Sequence, residues 1–116
     1  MKSGNLIVDL TYQFSLDIIS YADRLDEVRK YSMSKQLFRS GTSVGANVNE
    51  SQYGESKNDF IHKLKIAEKE ASESEYWLRL CRQSENYPDP EKLLEDIAVI
   101  RRVLGKIIMS SRRNNF

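Results

Sequence analysis

The sequence predicts an all-α protein, an antiparallel up-and-down four-helix bundle. Three observations carry this expectation. Four stretches place apolar residues at the three- and four-residue steps of a helix face. Short links containing helix-stopping or helix-starting residues separate them. No stretch shows the two-residue alternation of a half-buried strand, and there is no internal repeat or low-complexity tract.

The first helix is expected from about Asn5 to about Leu25. Leu6, Leu10, Phe14, Ile18, Ala22 and Leu25 form one face, with Ile7, Ile19 and Tyr21 beside it. Asn5 suits the N-cap, because its side chain accepts from a free backbone N–H. The charged run DEVRKYS is weakly periodic and is expected to be a connection, with room for one helical turn.

The second helix is expected from Ser32 to Tyr53. Its segment SKQLFRSGTSVGANVNE is loop-like in composition. Yet Met33, Leu37, Gly41, Val44, Val48 and Ser51 keep steps of four, four, three, four and three. Gly41 and Gly45 would each cost ~1 kcal/mol against alanine in a helix interior. Close backbone packing on a neighbouring helix is the expected compensation. A phosphate loop would need a preceding strand and a G-K-[ST] ending, and both are missing. Gly54 is expected to close the helix in the left-handed conformation.

Ser56 and Asp59 have capping-box spacing for the third and longest helix, which runs to about Glu85. Phe60, Leu64, Ala67, Ala71, Ser74, Leu78 and Cys81 alternate steps of four and three, a heptad seam that favours shallow packing angles. A second stripe, Ile66, Glu73, Trp77 and Leu80, gives this helix two neighbours. In NYPDP, Pro88 stops the helix, Asp89 caps the next, and Pro90 takes the first position, where its missing N–H is harmless. Leu93, Ile97, Ile100, Leu104 and Ile107 make the core face of the fourth helix, with Leu94, Val103 and Ile108 flanking. Acids near its start and Arg112 and Arg113 near its end suit the helix dipole.

With 116 residues, 40% of them apolar, the chain is expected to form one domain over residues 1–116. Cys81 is its one cysteine, which excludes an internal disulfide and a cysteine-rich metal site. His62 is the one histidine. Asp59 stands three residues before it, but a bundle di-metal site needs two E-x-x-H pairs, and a nucleophile–base–acid set has no support. No catalytic residue, metal or cofactor is expected, and the expectation is a protein that is not an enzyme. The N-terminus lacks a signal-peptide pattern and no run nears the ~20 apolar residues of a membrane span, so a cytoplasmic location is expected.

Charge is nearly balanced, 18 basic against 17 acidic residues, so nucleic-acid binding would have to come from placement. Placement is uneven. Arg101, Arg102, Lys106, Arg112 and Arg113 follow residue 97 with no acid among them. They are candidate phosphate-facing cations, and an oligomer would multiply them into a patch. No aromatic interleaves them to support base stacking. The alternative is a solvated helix face, with pairs such as Asp59–Lys63 and Glu75–Arg79 worth about 0.2–0.5 kcal/mol each.

Gln36, Arg39, Asn47 and Glu50 form a candidate polar set that fixes helix register, Arg39 by a bidentate contact to a carboxylate. Their other reading is a polar site in the bundle or at an oligomer seam. Phe38, Tyr53, Trp77, Leu80 and Tyr87 remain after the intramolecular stripes are filled and are candidates for a subunit interface or extra core.

The run QLFRSGTSVGANVNE, followed by DFIHKLKIAEKEASESEYWLRL, resembles the bacterial four-helix-bundle family of 23S rRNA intervening-sequence proteins. The resemblance rests on Gln36, Leu37, Arg39, Ser40, Ser43, Val44, Asn47, Val48 and Glu50, then Phe60, Leu64, Ile66 and Ala67. It implies a left-handed up-and-down bundle, assembly into a ring-like homopentamer, and no assigned catalytic activity. It also implies kinship with accessory proteins of diversity-generating retroelements, which partner a reverse transcriptase and its RNA through basic surface; this chain is less basic than they are. The functional expectation is therefore a binding or scaffold protein contacting structured RNA or a ribonucleoprotein. The alternative is a protein-interaction module with no nucleic-acid role.

Overall fold

The structure is a computed structural model that describes residues 3–113; residues 1, 2 and 114–116 lie outside it. Four helices occur in chain order: α1 (Leu6–Glu27), α2 (Tyr31–Ser51), α3 (Lys57–Gln83) and α4 (Glu91–Arg113). Among the described residues there is no strand. Each helix packs on its sequence neighbours, and α1 against α4 closes the bundle along its least extensive seam. The molecule measures 50 × 24 × 21 Å.

Side-chain bonds between helices show that each neighbouring pair is antiparallel. Asn5 donates to Gln52, and Ser34 donates to the Ala22 carbonyl, so the two ends of α1 and α2 meet in reverse order. Glu50–Lys63 and Ser40–Ser74 do the same for α2 and α3. Glu75–Arg101 and Arg82–Glu91 do so for α3 and α4, and Asp17–Lys92 fits the same sense for α1 and α4.

The caps explain most boundaries. Asn5 accepts from the Val8 N–H and Ser56 from the Asp59 N–H, so both expected N-caps are in place. Asp89 accepts from the Glu91 N–H, while Pro90 itself occupies the cap and its carbonyl takes the first helical bond, from Leu94. The first link is shorter than the sequence suggests. Asp26 and Glu27 are helical, and only Val28, Arg29 and Lys30 connect α1 to α2. Arg29 adopts φ 64°, and the Lys30 N–H reaches the Leu25 carbonyl at 2.8 Å. This is the Schellman closure, built on an arginine where glycine is the usual signal.

Gly54 does not close α2 in a left-handed conformation; Gly4, with φ 81°, is the described glycine at positive φ. The end of α2 tightens instead through i→i−3 bonds, Tyr53 to Glu50 and Gly54 to Ser51. Gly54 answers to space: a Cβ there would lie 3.2 Å from the Phe60 nitrogen.

The core runs the length of the bundle, centred on Phe14, Ile18, Leu25, Leu37, Val44, Leu64, Leu78, Ile97 and Leu104. Two core faces are rotated from the expected ones. On α1, Ile7 and Thr11 are buried, Leu10 is half-buried and Leu6 is 63% exposed. Steps of four overshoot one turn by about 40°, so a line drawn backwards from Phe14 drifts off the core. Thr11 fits because its hydroxyl donates to the Ile7 carbonyl at 2.8 Å. At the end of α4, Ile108 is buried and Ile107 flanks it.

Candidate nucleic-acid interface and surrounding surfaces

Antiparallel packing of α3 on α4 joins two basic segments that are distant in sequence. The pair Arg101–Glu75 sets the register, so the cation-rich last turns of α4 lie beside the first half of α3. Lys65 and Lys69 on α3 and Arg102, Lys106, Arg112 and Arg113 on α4 are all exposed at this end of the bundle. Among the described residues, none of these six forms an ion pair. Arg101 differs from them: Glu75 Oε1 accepts from its Nη1 at 2.5 Å, which neutralises it and ties the two helices. Lys63 is likewise committed, donating to Glu50 at 2.8 Å. The pairs Asp59–Lys63 and Glu75–Arg79 are therefore replaced by bonds across seams, where the facing helix offers a partner.

The expected polar set is divided. Arg39 reaches from α2 to two carboxylates of α3, Glu70 at 3.1 Å and Glu73 in closer contact. Trp77 Nε1 also donates to Glu73, at 3.0 Å. Burial acts to raise the Glu73 carboxyl, but the bonds from Trp77 and Arg39 together outweigh it and hold the group below its ordinary range. The hydrogen bond to Glu73 pushes the Arg39 guanidinium up. Glu50 adds the second clamp on this seam, through Lys63. Asn47 bonds inside its own helix, to the Ser43 carbonyl at 2.9 Å, and so does not tie α2 to a neighbour. Gln36 is exposed. Deeper in the same seam the Ser74 hydroxyl donates to Ser40 at 2.9 Å, both fully buried.

Cys81 is buried beside Tyr21, whose hydroxyl donates to the Pro88 carbonyl at 2.6 Å. Burial raises both groups, and the contact with Cys81 raises Tyr21 further. Neither is poised as a nucleophile or base near neutral pH. His62 is exposed, and among the described residues no cluster of three histidine, cysteine or acidic side chains could hold a metal. Among the described residues no helix is long and apolar enough to cross a membrane.

The candidate interface residues lie on different faces. Trp77 and Tyr87 are half-buried and pack on the core, and Tyr76 meets Trp77 edge-on with ring centroids 5.4 Å apart. Leu80 is 38% exposed on α3 and Tyr53 is 79% exposed at the end of α2. Phe38, exposed on α2, lines a shallow groove with Ala22, Asp23 and Asp26 of α1. Farther along the α1–α2 seam, sequence reasoning missed Tyr12 and Leu16 on α1, both exposed and lining a groove with Thr42, Gly45 and Ala46. Ile19, expected beside the core, joins them at the surface. Their signal was present as a second α1 stripe, Val8, Tyr12, Leu16 and Ile19, at steps of four, four and three.

The family model for the 23S rRNA-intervening sequence protein matches residues 5–106. A search of curated proteins gave no match. The chain is similar to a protein with unknown function from the S23 ribosomal protein family of Bacteroides thetaiotaomicron VPI-5482, known from its crystal structure. That similarity has a TM-score of 0.84 and 40% identity, covering 88% of this chain and 97% of that one. The match spans α1 to α3 whole and α4 as far as Lys106, and so includes α1, where the sequence motifs were not specific. With its bundle architecture and its α2–α3 motif residues both accounted for, the chain belongs to the 23S rRNA-intervening sequence protein family.

Proposed function

We propose that this protein is a cytoplasmic, non-enzymatic binding or scaffold protein that self-associates and contacts structured RNA, alone or within a ribonucleoprotein. A ring-like pentamer is the assembly that the family resemblance suggests. The contact surface is the basic end of α3 and α4. The observation that carries this reading is the gathering of Lys65, Lys69, Arg102, Lys106, Arg112 and Arg113 at one end of the bundle, exposed and free of ion pairs among the described residues. In a chain of net charge +1 such segregation is the electrostatic footprint that phosphate binding requires. Arg101 serves as a brace through Glu75 rather than as a phosphate ligand.

Filter binding of a structured RNA across ~50–200 mM salt tests the reading, because each phosphate contact releases counterions and log affinity falls linearly with log salt. Binding at low salt with a steep negative slope is the expected result. No retention at low salt, or a flat salt response, overturns it.

A further inference from the structure

Along the chain, the cations of α4 have no aromatic among them. Packing supplies one from the facing helix. Glu75 and Arg101 meet across the α3–α4 seam at 2.5 Å and fix the register there. One residue further on, each helix has turned by about 100°. The core covers one side of this seam, so the exposed Tyr76 and Arg102 both stand on the other. Tyr76 is 56% exposed, and its ring meets the half-buried Trp77 edge-on.

From this level the same outer surface runs to the basic end of the bundle. On α3, Lys69 and Lys65 lie seven and eleven residues before Tyr76, about 10 and 16 Å along the axis. On α4, Lys106 and Arg113 lie four and eleven residues after Arg102, about 6 and 16 Å along it. Steps of four, seven and eleven keep each set on one face of its helix. Antiparallel order sends both sets the same way, so they form a two-column track with Tyr76 and Arg102 at its head. Of the acids on this stretch of α3, Glu70 and Glu73 are tied to Arg39 and Glu75 to Arg101, while Glu68 is half-buried. From residue 97 onward α4 carries no acid.

Cations alone would serve a duplex, which is recognised by its shape and backbone. An exposed ring at the head of a cationic track adds the second element of single-strand binding, a flat surface for an unstacked base beside a row of charges for the backbone. The Arg102 guanidinium at the same level offers a second plane of the kind on which splayed bases stack. We infer that this track takes a single-stranded stretch of RNA, such as a loop, bulge or end, with one base stacked on Tyr76 and the backbone following Lys69 and Lys106 towards Lys65 and Arg113. The inference rests on the RNA-binding reading above and adds the class of RNA and a base-contacting residue.

Fluorescence anisotropy at low salt tests this on the full chain with two labelled probes, a short unstructured RNA and the duplex it forms with its complement. Wild type is expected to bind the single strand more tightly than the duplex. Tyr76→Ala is expected to weaken single-strand binding by about 5- to 150-fold, the range of one lost base stack. It is expected to leave duplex affinity and the salt slope unchanged, because no phosphate contact is lost. Tyr76→Phe keeps the ring and is expected to bind as wild type does. Circular dichroism checks that helicity is kept. Wild type that binds the duplex as tightly as the single strand overturns the inference and leaves the RNA-binding reading standing. So does an alanine variant that loses nothing or loses equally on both probes, or a phenylalanine variant as weak as the alanine one. Wild type that binds neither probe overturns both.

Discussion

Ser40 and Ser74 illustrate how small side chains carry specificity in this bundle. Both hydroxyls are fully buried on facing helices and bond to each other at 2.9 Å. Replacing one leaves the other without its partner, which costs roughly 1–3 kcal/mol. Replacing both removes the need, so Ser40→Ala with Ser74→Ala is expected to be less destabilised than the sum of the singles, and urea denaturation of the four-member cycle measures this. Glu73 acts at the rim of the same seam. Its folded carboxyl is held below its ordinary value, so its stabilising contribution is present above the unfolded carboxylate range, ~4.3, and is lost as pH falls through the lower folded value. Arg39 is half-exposed, so the contribution is small, below ~1 kcal/mol. Glu73→Gln is expected to narrow the stability difference from wild type as pH drops from 6 towards 3, followed by thermal melts.

At the scale of helices, the glycines of α2 determine how closely it lies on α1. A Cβ at Gly41 would stand 2.7 Å from Ile18 Cγ1 and 2.8 Å from Cδ1, and Ile18 is fully buried with nowhere to turn. Overpacking costs of about 1–3 kcal/mol exceed the ~1 kcal/mol that alanine gains in helix propensity. Gly41→Ala is therefore expected to lower stability in wild type and to cost less in an Ile18→Ala background. Gly105 is the contrast, with open space where its Cβ would go. Gly105→Ala is expected to stabilise the protein by ~0.5–1 kcal/mol, seen as a raised melting temperature. The spacing of apolar residues in α2 made its helix and its close approach legible, but Gly54 shows the limit. A glycine after a helix signals a left-handed cap by frequency, whereas here its small size is what the start of α3 needs.

Across the whole molecule, antiparallel order brings the cations of α4 and the lysines of α3 to one end of the bundle. The other end is mixed: Asp23, Asp26, Glu27, Glu91, Glu95 and Asp96 stand there with Arg24, Arg29, Lys30, Arg79 and Arg82. Lys106→Glu combined with Arg113→Glu is expected to weaken RNA retention across sequences and to flatten the salt slope by about 0.9 for each phosphate that is no longer neutralised. Arg101→Ala is expected to act mainly on stability, because Arg101 braces α3 through Glu75. Filter binding beside thermal melts separates the two effects.

Local chemistry determined the four helices, three of their starts and most of the core, because periodicity and capping depend on residues within a few positions of one another. Leu37, Val44, Leu64, Ala71, Leu78, Ile97 and Leu104 are buried as their spacing requires. Tertiary structure alone decided three matters. It rotated the start of α1, placing Thr11 in the core. It gave Lys63 and Glu75 partners on facing helices rather than one turn away. It left Tyr12, Leu16 and Ile19 outside with Phe38. Each depends on which side of a helix a neighbour covers, and that is set by the packing of segments far apart in the chain.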